Sequence, residues 1–77
     1  MKDIALYLLK NLVDNTEEVG VDEVDNGQGQ IQLTIKVAQE DMGKIIGKNG
    51  RVIRSIRDII KILALKKGVH VDVILAE

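Results

Sequence analysis

Residues 39 to 67 carry helical apolar spacing that is broken once, at Gly47-Lys48-Asn49-Gly50. Met42, Ile45 and Ile46 stand at i, i+3 and i+4 before the break. Val52, Ile53, Ile56, Ile59, Ile60 and Leu63 form one stripe after it. Glycine at both ends of a four-residue gap lets the backbone leave helical geometry without a Cβ penalty. The segment reads as a short helix over 39–46, a tight loop, and a longer helix from about 51 to 67. Glu40 and Asp41 favour the positive end of the first helix, and Lys66, Lys67 and Gly68 stop the second.

The remaining segments supply a third helix and three strands. "DIALYLLKNLV" places Ile4, Ala5, Leu8, Leu9 and Leu12 at helical spacing, with Asp3 positioned to cap its start. "VGVDEVD" is a weak strand in which Val24 is out of phase with Val19 and Val21, which predicts a bulge or a short strand. "NGQG" is a turn signal. In "QIQLTIKV", Ile31, Leu33, Ile35 and Val37 alternate with Gln30, Gln32, Thr34 and Lys36, the clearest strand in the chain. "VHVDVIL" closes it with Val69, Val71, Val73 and Leu75 on one face.

The order is helix, strand, strand, helix, loop, helix, strand. The first two strands suit an antiparallel hairpin, and the last returns through a helical crossover that leaves it parallel to 30–37. The expected fold is α+β in two layers: a three-stranded mixed sheet with three helices on one face. Gln30, Gln32, Thr34, Lys36, His70 and Asp72 make its polar side. Seventy-seven residues form a single domain, 1–77.

Charge narrows the function. The chain is net −1, but residues 1–35 sum to −5 and residues 36–67 to +6. A basic middle in an acidic frame points to one local anionic surface, or to a helix that solvates its outer face. Cysteine is absent, so disulfides and thiolate metal sites are excluded. No apolar run approaches the roughly 20 residues of a membrane span, and the N-terminus makes a poor signal peptide, so the expected location is the cytoplasm without membrane insertion.

Three phosphate-binding patterns compete for "GKIIGKNGRVI". The dinucleotide fingerprint fails because the only G-x-G, Gly27-Gln28-Gly29, lies in the hairpin turn and lacks the third glycine. The nucleotide-triphosphate loop fails because Gly43 and Gly47 are one residue too close and Asn49 replaces the hydroxyl. The third pattern, G-x-x-G between two helices and flanked by aliphatics, runs Ile45-Ile46-Gly47-Lys48-Asn49-Gly50-Arg51-Val52-Ile53. There the main chain can approach a sugar-phosphate, and the next helix starts at once with its N–H groups toward the anion.

This run resembles the KH domain, and the α-β-β-α-α-β order resembles its type II arrangement. The resemblance covers essentially the whole chain. It is closest to the small stand-alone KH proteins of bacteria, the KhpA-like group. Gln39 departs from relatives that carry proline at the start of the short helix, a difference that pre-sets backbone only.

The resemblance implies a clamp for short single-stranded RNA at the GKNG loop. The expected RNA-binding residues are Lys44, Ile46, Gly47, Lys48, Asn49, Gly50, Arg51, Ile53 and Arg54. Ile46 and Ile53 can line an aliphatic base groove, although helix-face aliphatics belong first to the core. Gly43 reads as a site of close helix packing. Arg57 and Lys61 read as solvating the outer face or extending a weak electrostatic funnel. Phe and Trp are absent and Tyr7 is the only aromatic, so base stacking on an aromatic platform is excluded.

Ile62 and Leu65 break the polar side of the long helix. They either tuck under a neighbouring element or form an exposed surface for self-association. The resemblance favours a homodimer or pairing with a larger KH-domain protein, in post-transcriptional regulation. Catalysis has no support: His70 stands with only Asp72, Ser55 is mid-helix, and neither a metal site nor a cofactor is expected. The rival expectation is a KH-fold protein-interaction module with weak or no RNA binding.

Overall fold

The alternation in residues 30–36 builds the centre of the sheet. In the computed structural model, which describes residues 1–76, β2 (Gln30–Lys36) buries Leu33 and Ile35 completely and leaves Gln30, Gln32 and Lys36 exposed. β1 (Gly20–Asp25) lies antiparallel on one side of it and β3 (His70–Leu75) parallel on the other, giving the order β1-β2-β3. The helices α1 (Lys2–Lys10), α2 (Met42–Ile46) and α3 (Arg51–Lys66) supply the second layer. The fold is α+β with a three-stranded mixed sheet and three helices, consistent with the type II KH arrangement.

β1 has no bulge. Each residue from Gly20 to Asp25 has a partner on β2, with Val21 opposite Ile35 and Val24 opposite Gln32. A strand alternates strictly, so burying Val21 sends Val24 to the outer face, where it is exposed. Glu23 therefore points to the helical side. Its Oε1 accepts the Lys2 N–H at 3.1 Å and lies 3.6 Å from the terminal ammonium of Met1. The start of α1 is thus capped from β1, and Asp3 sits inside the first turn without capping it.

α3 buries Ile53, Ile56, Ile60 and Ala64. Ile59, expected in the same stripe, is exposed at its margin. Ile59 lines a shallow apolar groove between α1 and α3 with Leu8, Leu12, Val52 and Ile56. At the other end of α3, the Gly68 N–H donates to the Leu65 carbonyl at 3.0 Å and the Val69 N–H to Ala64 at 3.1 Å. With Gly68 at φ 76°, this glycine-terminated cap turns the chain into β3.

Asp41 is buried between α1 and α2, a placement that the helix dipole does not explain. Its carboxylate accepts the Asn15 N–H at 3.0 Å and the Asp14 N–H at 3.3 Å. Lys44 pairs with Asp14 and stands 4.0 Å from Asp41. Glu40 accepts from the Asn15 side chain at 2.9 Å. Together these contacts fasten the turn after α1 to the start of α2, and so set where α2 presents its C-terminal end.

Candidate nucleic-acid interface

The loop between α2 and α3 depends on residues that tolerate positive φ. Gly47 ends α2 at φ 73° and ψ 178°, a region essentially closed to residues with a Cβ. Asn49 follows at φ 57° and ψ 27°, left-handed geometry that asparagine tolerates better than most side chains. Gly50, at φ 72° and ψ 16°, then serves as the N-cap of α3. A Cβ at Gly47 would also overlap the Val52 side chain, lying 2.8 Å from its Cβ. Gly47 brings the loop down onto α3, while Gly50 faces open space.

Gly43 has a different place from the one expected. Nothing lies within 4 Å of where its Cβ would stand, so it brings no helices together. Its carbonyl accepts the Gly47 N–H at 2.9 Å and closes the last turn of α2, a contact that any residue can make.

Within the loop, Gly50 donates to the Gly47 carbonyl at 3.2 Å and Arg51 donates to Lys48. Among the described residues, the Lys48 and Asn49 amides donate to no backbone carbonyl. Both residues are exposed, as are Arg51 and Arg54. None of Lys48, Arg51 and Arg54 lies within 4.0 Å of a carboxylate among the described residues. Two free amides and three unpaired cations therefore meet at the start of α3, where the helix dipole adds to their field.

Lys44 differs from these three. Its hydrogen bond to Asp14 raises its pKa above the usual lysine value against the opposing effect of desolvation, and the Asp14 and Asp41 charges add to the rise. Its charge is largely spent on the clamp that holds α2.

The two isoleucines also separate. Ile46 is 39% exposed beside the loop, whereas Ile53 is 8% exposed and belongs to the core. Ile62 and Leu65 are 57% and 61% exposed, so they do not tuck under β3 or α1.

Arg57 carries a contact that sequence reasoning missed. It is half-buried, and its Nε–H donates to the Val73 carbonyl at 3.1 Å. It bridges α3 to the free edge of β3 and does not solvate the outer face. The angular count along the sequence placed Arg57 away from the apolar stripe of α3. Nothing in the sequence indicated the carbonyl 16 residues onward.

A G-x-x-G loop joining two helices, on one layer of a β1-β2-β3 sheet whose last pair is parallel, defines a type II KH domain. Residues 2–75 match the family described as KhpA/KhpB, KH domain, and the chain belongs to that family. It is similar to the RNA-binding protein KhpA of Clostridium acetobutylicum, with 48% identity covering 95% of this chain and 96% of that protein. The RNA-binding protein KhpA of Clostridium perfringens is 46% identical over the same shares. That of Chlamydia caviae is 44% identical and covers 100% of this chain and 97% of its own. No solved structure matches the chain significantly. The family is one of non-enzymatic nucleic-acid-binding domains. Among the described residues, no helix is long and apolar enough to cross a membrane.

Proposed function

We propose that this protein binds short single-stranded RNA across the Gly47–Gly50 loop, in the cytoplasm, as part of post-transcriptional regulation. The observation that carries the reading is the convergence of the free Lys48 and Asn49 amides with the unpaired Lys48, Arg51 and Arg54 charges at the start of α3. The names of the relatives, RNA-binding proteins, support the choice of RNA. Phosphates meet the amides and cations, and Ile46 offers the nearest exposed aliphatic surface to a base. Ile53 supports Ile46 from the core, and Lys44 acts by holding α2 in place.

Lys48→Asp combined with Asn49→Asp tests this. Aspartate also tolerates the left-handed geometry at position 49, so the circular dichroism spectrum should match wild type. Affinity for a short single-stranded RNA should fall by at least about tenfold at low salt. Three phosphate contacts give the wild type a slope of about −2 in log K against log salt, and the double variant should be flatter. Binding that ignores the substitutions or the salt would overturn the loop reading, and a wild type that binds no RNA would favour the protein-interaction module.

One KH groove reads about four nucleotides, so a second copy or a larger KH-domain partner would raise affinity through effective concentration. The exposed Ile62 and Leu65 side chains are the surface proposed for that association. Ile62→Asp should lower the mass measured by light scattering from dimer to monomer without loss of helicity. A wild type that is monomeric at every concentration would remove homodimerisation.

A further inference from the structure

The sheet has two free edges, and they differ in charge. β1 carries Asp22, Glu23 and Asp25, which repel a polyanion. β3 runs beside the flank of α3 that bears Arg54, Arg57 and Lys61. The His70 N–H donates to Gly29 and the Ala76 N–H to Ile35, so the even-numbered residues of β3 bond to β2. Strand alternation then leaves the N–H and C=O groups of Val71, Val73 and Leu75 facing outward. Beyond Val71, a hollow of about 220 Å³ is lined by Lys61, Leu65, His70, Val71 and Asp72. An RNA strand held at the start of α3 therefore has one non-repelling sheet edge within reach, with Val73 at its midpoint.

The Val73 carbonyl is the acceptor that Arg57 occupies. We propose that Arg57 sets the base preference of this protein by masking that acceptor, an inference that rests on the RNA-binding reading above. With the guanidinium in place, a base seated at Val73 finds that carbonyl taken and meets the Val73 N–H and the remaining guanidinium N–H groups. A carbonyl edge, such as O4 of uracil or O6 of guanine, pairs with donors. An amino group, such as N4 of cytosine or N6 of adenine, needs the acceptor that Arg57 holds. The protein therefore selects keto bases over amino bases at this position.

Uracil and cytosine are the cleanest comparison, because they match in size and differ at the 4-position. The wild type should bind an eight-nucleotide oligouridine at least about threefold more tightly than the matching oligocytidine at neutral pH, the worth of about one net hydrogen bond. Arg57→Met keeps a stem of similar length and removes the donors. It should weaken both complexes through lost charge while bringing the ratio to about one. Arg57→Gln returns an acceptor to the same place and should turn the preference toward cytidine. Circular dichroism checks that both variants are folded.

A purely electrostatic role for Arg57 would lower both affinities and leave the ratio unchanged, and that result would overturn the inference. Equal binding of the two octamers by the wild type would overturn it as well. Binding of neither octamer by the wild type would instead overturn the RNA-binding reading, and this inference with it.

Discussion

Gly47→Ala is expected to destabilise the protein by about 2–4 kcal/mol, combining a backbone geometry closed to alanine with overlap against a packed side chain. At φ 73° and ψ 178°, a Cβ is crowded against the carbonyl of the preceding peptide unit. It also meets Val52, whose Cβ would be 2.8 Å away and which is packed against the core. Val52 cannot withdraw without moving the first turn of α3. In a domain of this size, the loss corresponds to a fall in Tm of roughly 10 °C or more. Two controls isolate the cause. Gly50→Ala has a left-handed φ of 72° but open space, so it should cost only about 1–2 kcal/mol. Gly43→Ala has helical geometry and open space, and should be neutral or stabilising by up to about 1 kcal/mol. Thermal melts showing three equal effects would contradict this account of the loop. The Gly47 variant should also bind RNA weakly at temperatures where it remains folded, because relief of the overlap displaces the Lys48 and Asn49 amides.

Asp41→Asn should be the second most damaging of these changes, lowering Tm at neutral pH by roughly 5–10 °C. Asparagine keeps the shape of the side chain but turns an amide NH₂ toward one of the two backbone N–H groups that the carboxylate now accepts. The Asn15 N–H is the foremost cause that holds the Asp41 carboxyl below its usual pKa. Burial opposes it, while the Asp14 N–H, the Lys44 charge and the Asn15 side chain reinforce it. A carboxyl depressed in the folded state contributes stability that is fully present above about pH 4, where an unfolded aspartate is ionised. That contribution is lost as pH falls through the lower folded value. The wild-type Tm should therefore drop more steeply than that of Asp41→Asn between about pH 4 and pH 2. Parallel curves would mean that the charge of Asp41 is unimportant. Any loss of RNA binding by this variant should be recovered by cooling, because the clamp holds α2 and does not touch the loop.

The order of elements, the faces of β2 and β3, and the loop with its glycines were all legible in the sequence. Period-two alternation in 30–37 and period-3.6 spacing in 51–64 report which side of an element is apolar, and that suffices to stack a sheet against helices. The same periodicities do not report which neighbour covers a given arc. Ile59 belongs to the apolar stripe by angle, yet it stays exposed in the open groove beside Leu8 and Leu12. The phase of Val24 against Val21 suggested a bulge or a short strand, and the pairing with β2 runs without a bulge from Gly20 to Asp25. Gly43 looked like a packing glycine only because it was a glycine in a helix.

Polar side chains were the least legible, since their partners are set by distance in space. Asp41 reads as a helix-start acid in sequence, and its partners lie 26 and 27 residues earlier. Lys44 reads as one more loop cation, but Asp14 holds its charge. Arg57 reads as a solvent-facing arginine and instead reaches a β3 carbonyl.

The sequence by itself determined that these residues would make an α+β domain with a G-x-x-G loop between two helices. Local backbone preference and apolar periodicity act within one element and need no partner to be read. Only the tertiary structure decided which cations remain unpaired at the loop, which isoleucine is exposed beside it, and which edge of the sheet lies along the basic flank of α3. Those outcomes depend on how separate elements meet, and a hydrogen bond or ion pair forms only when that meeting brings donor and acceptor within about 3 Å.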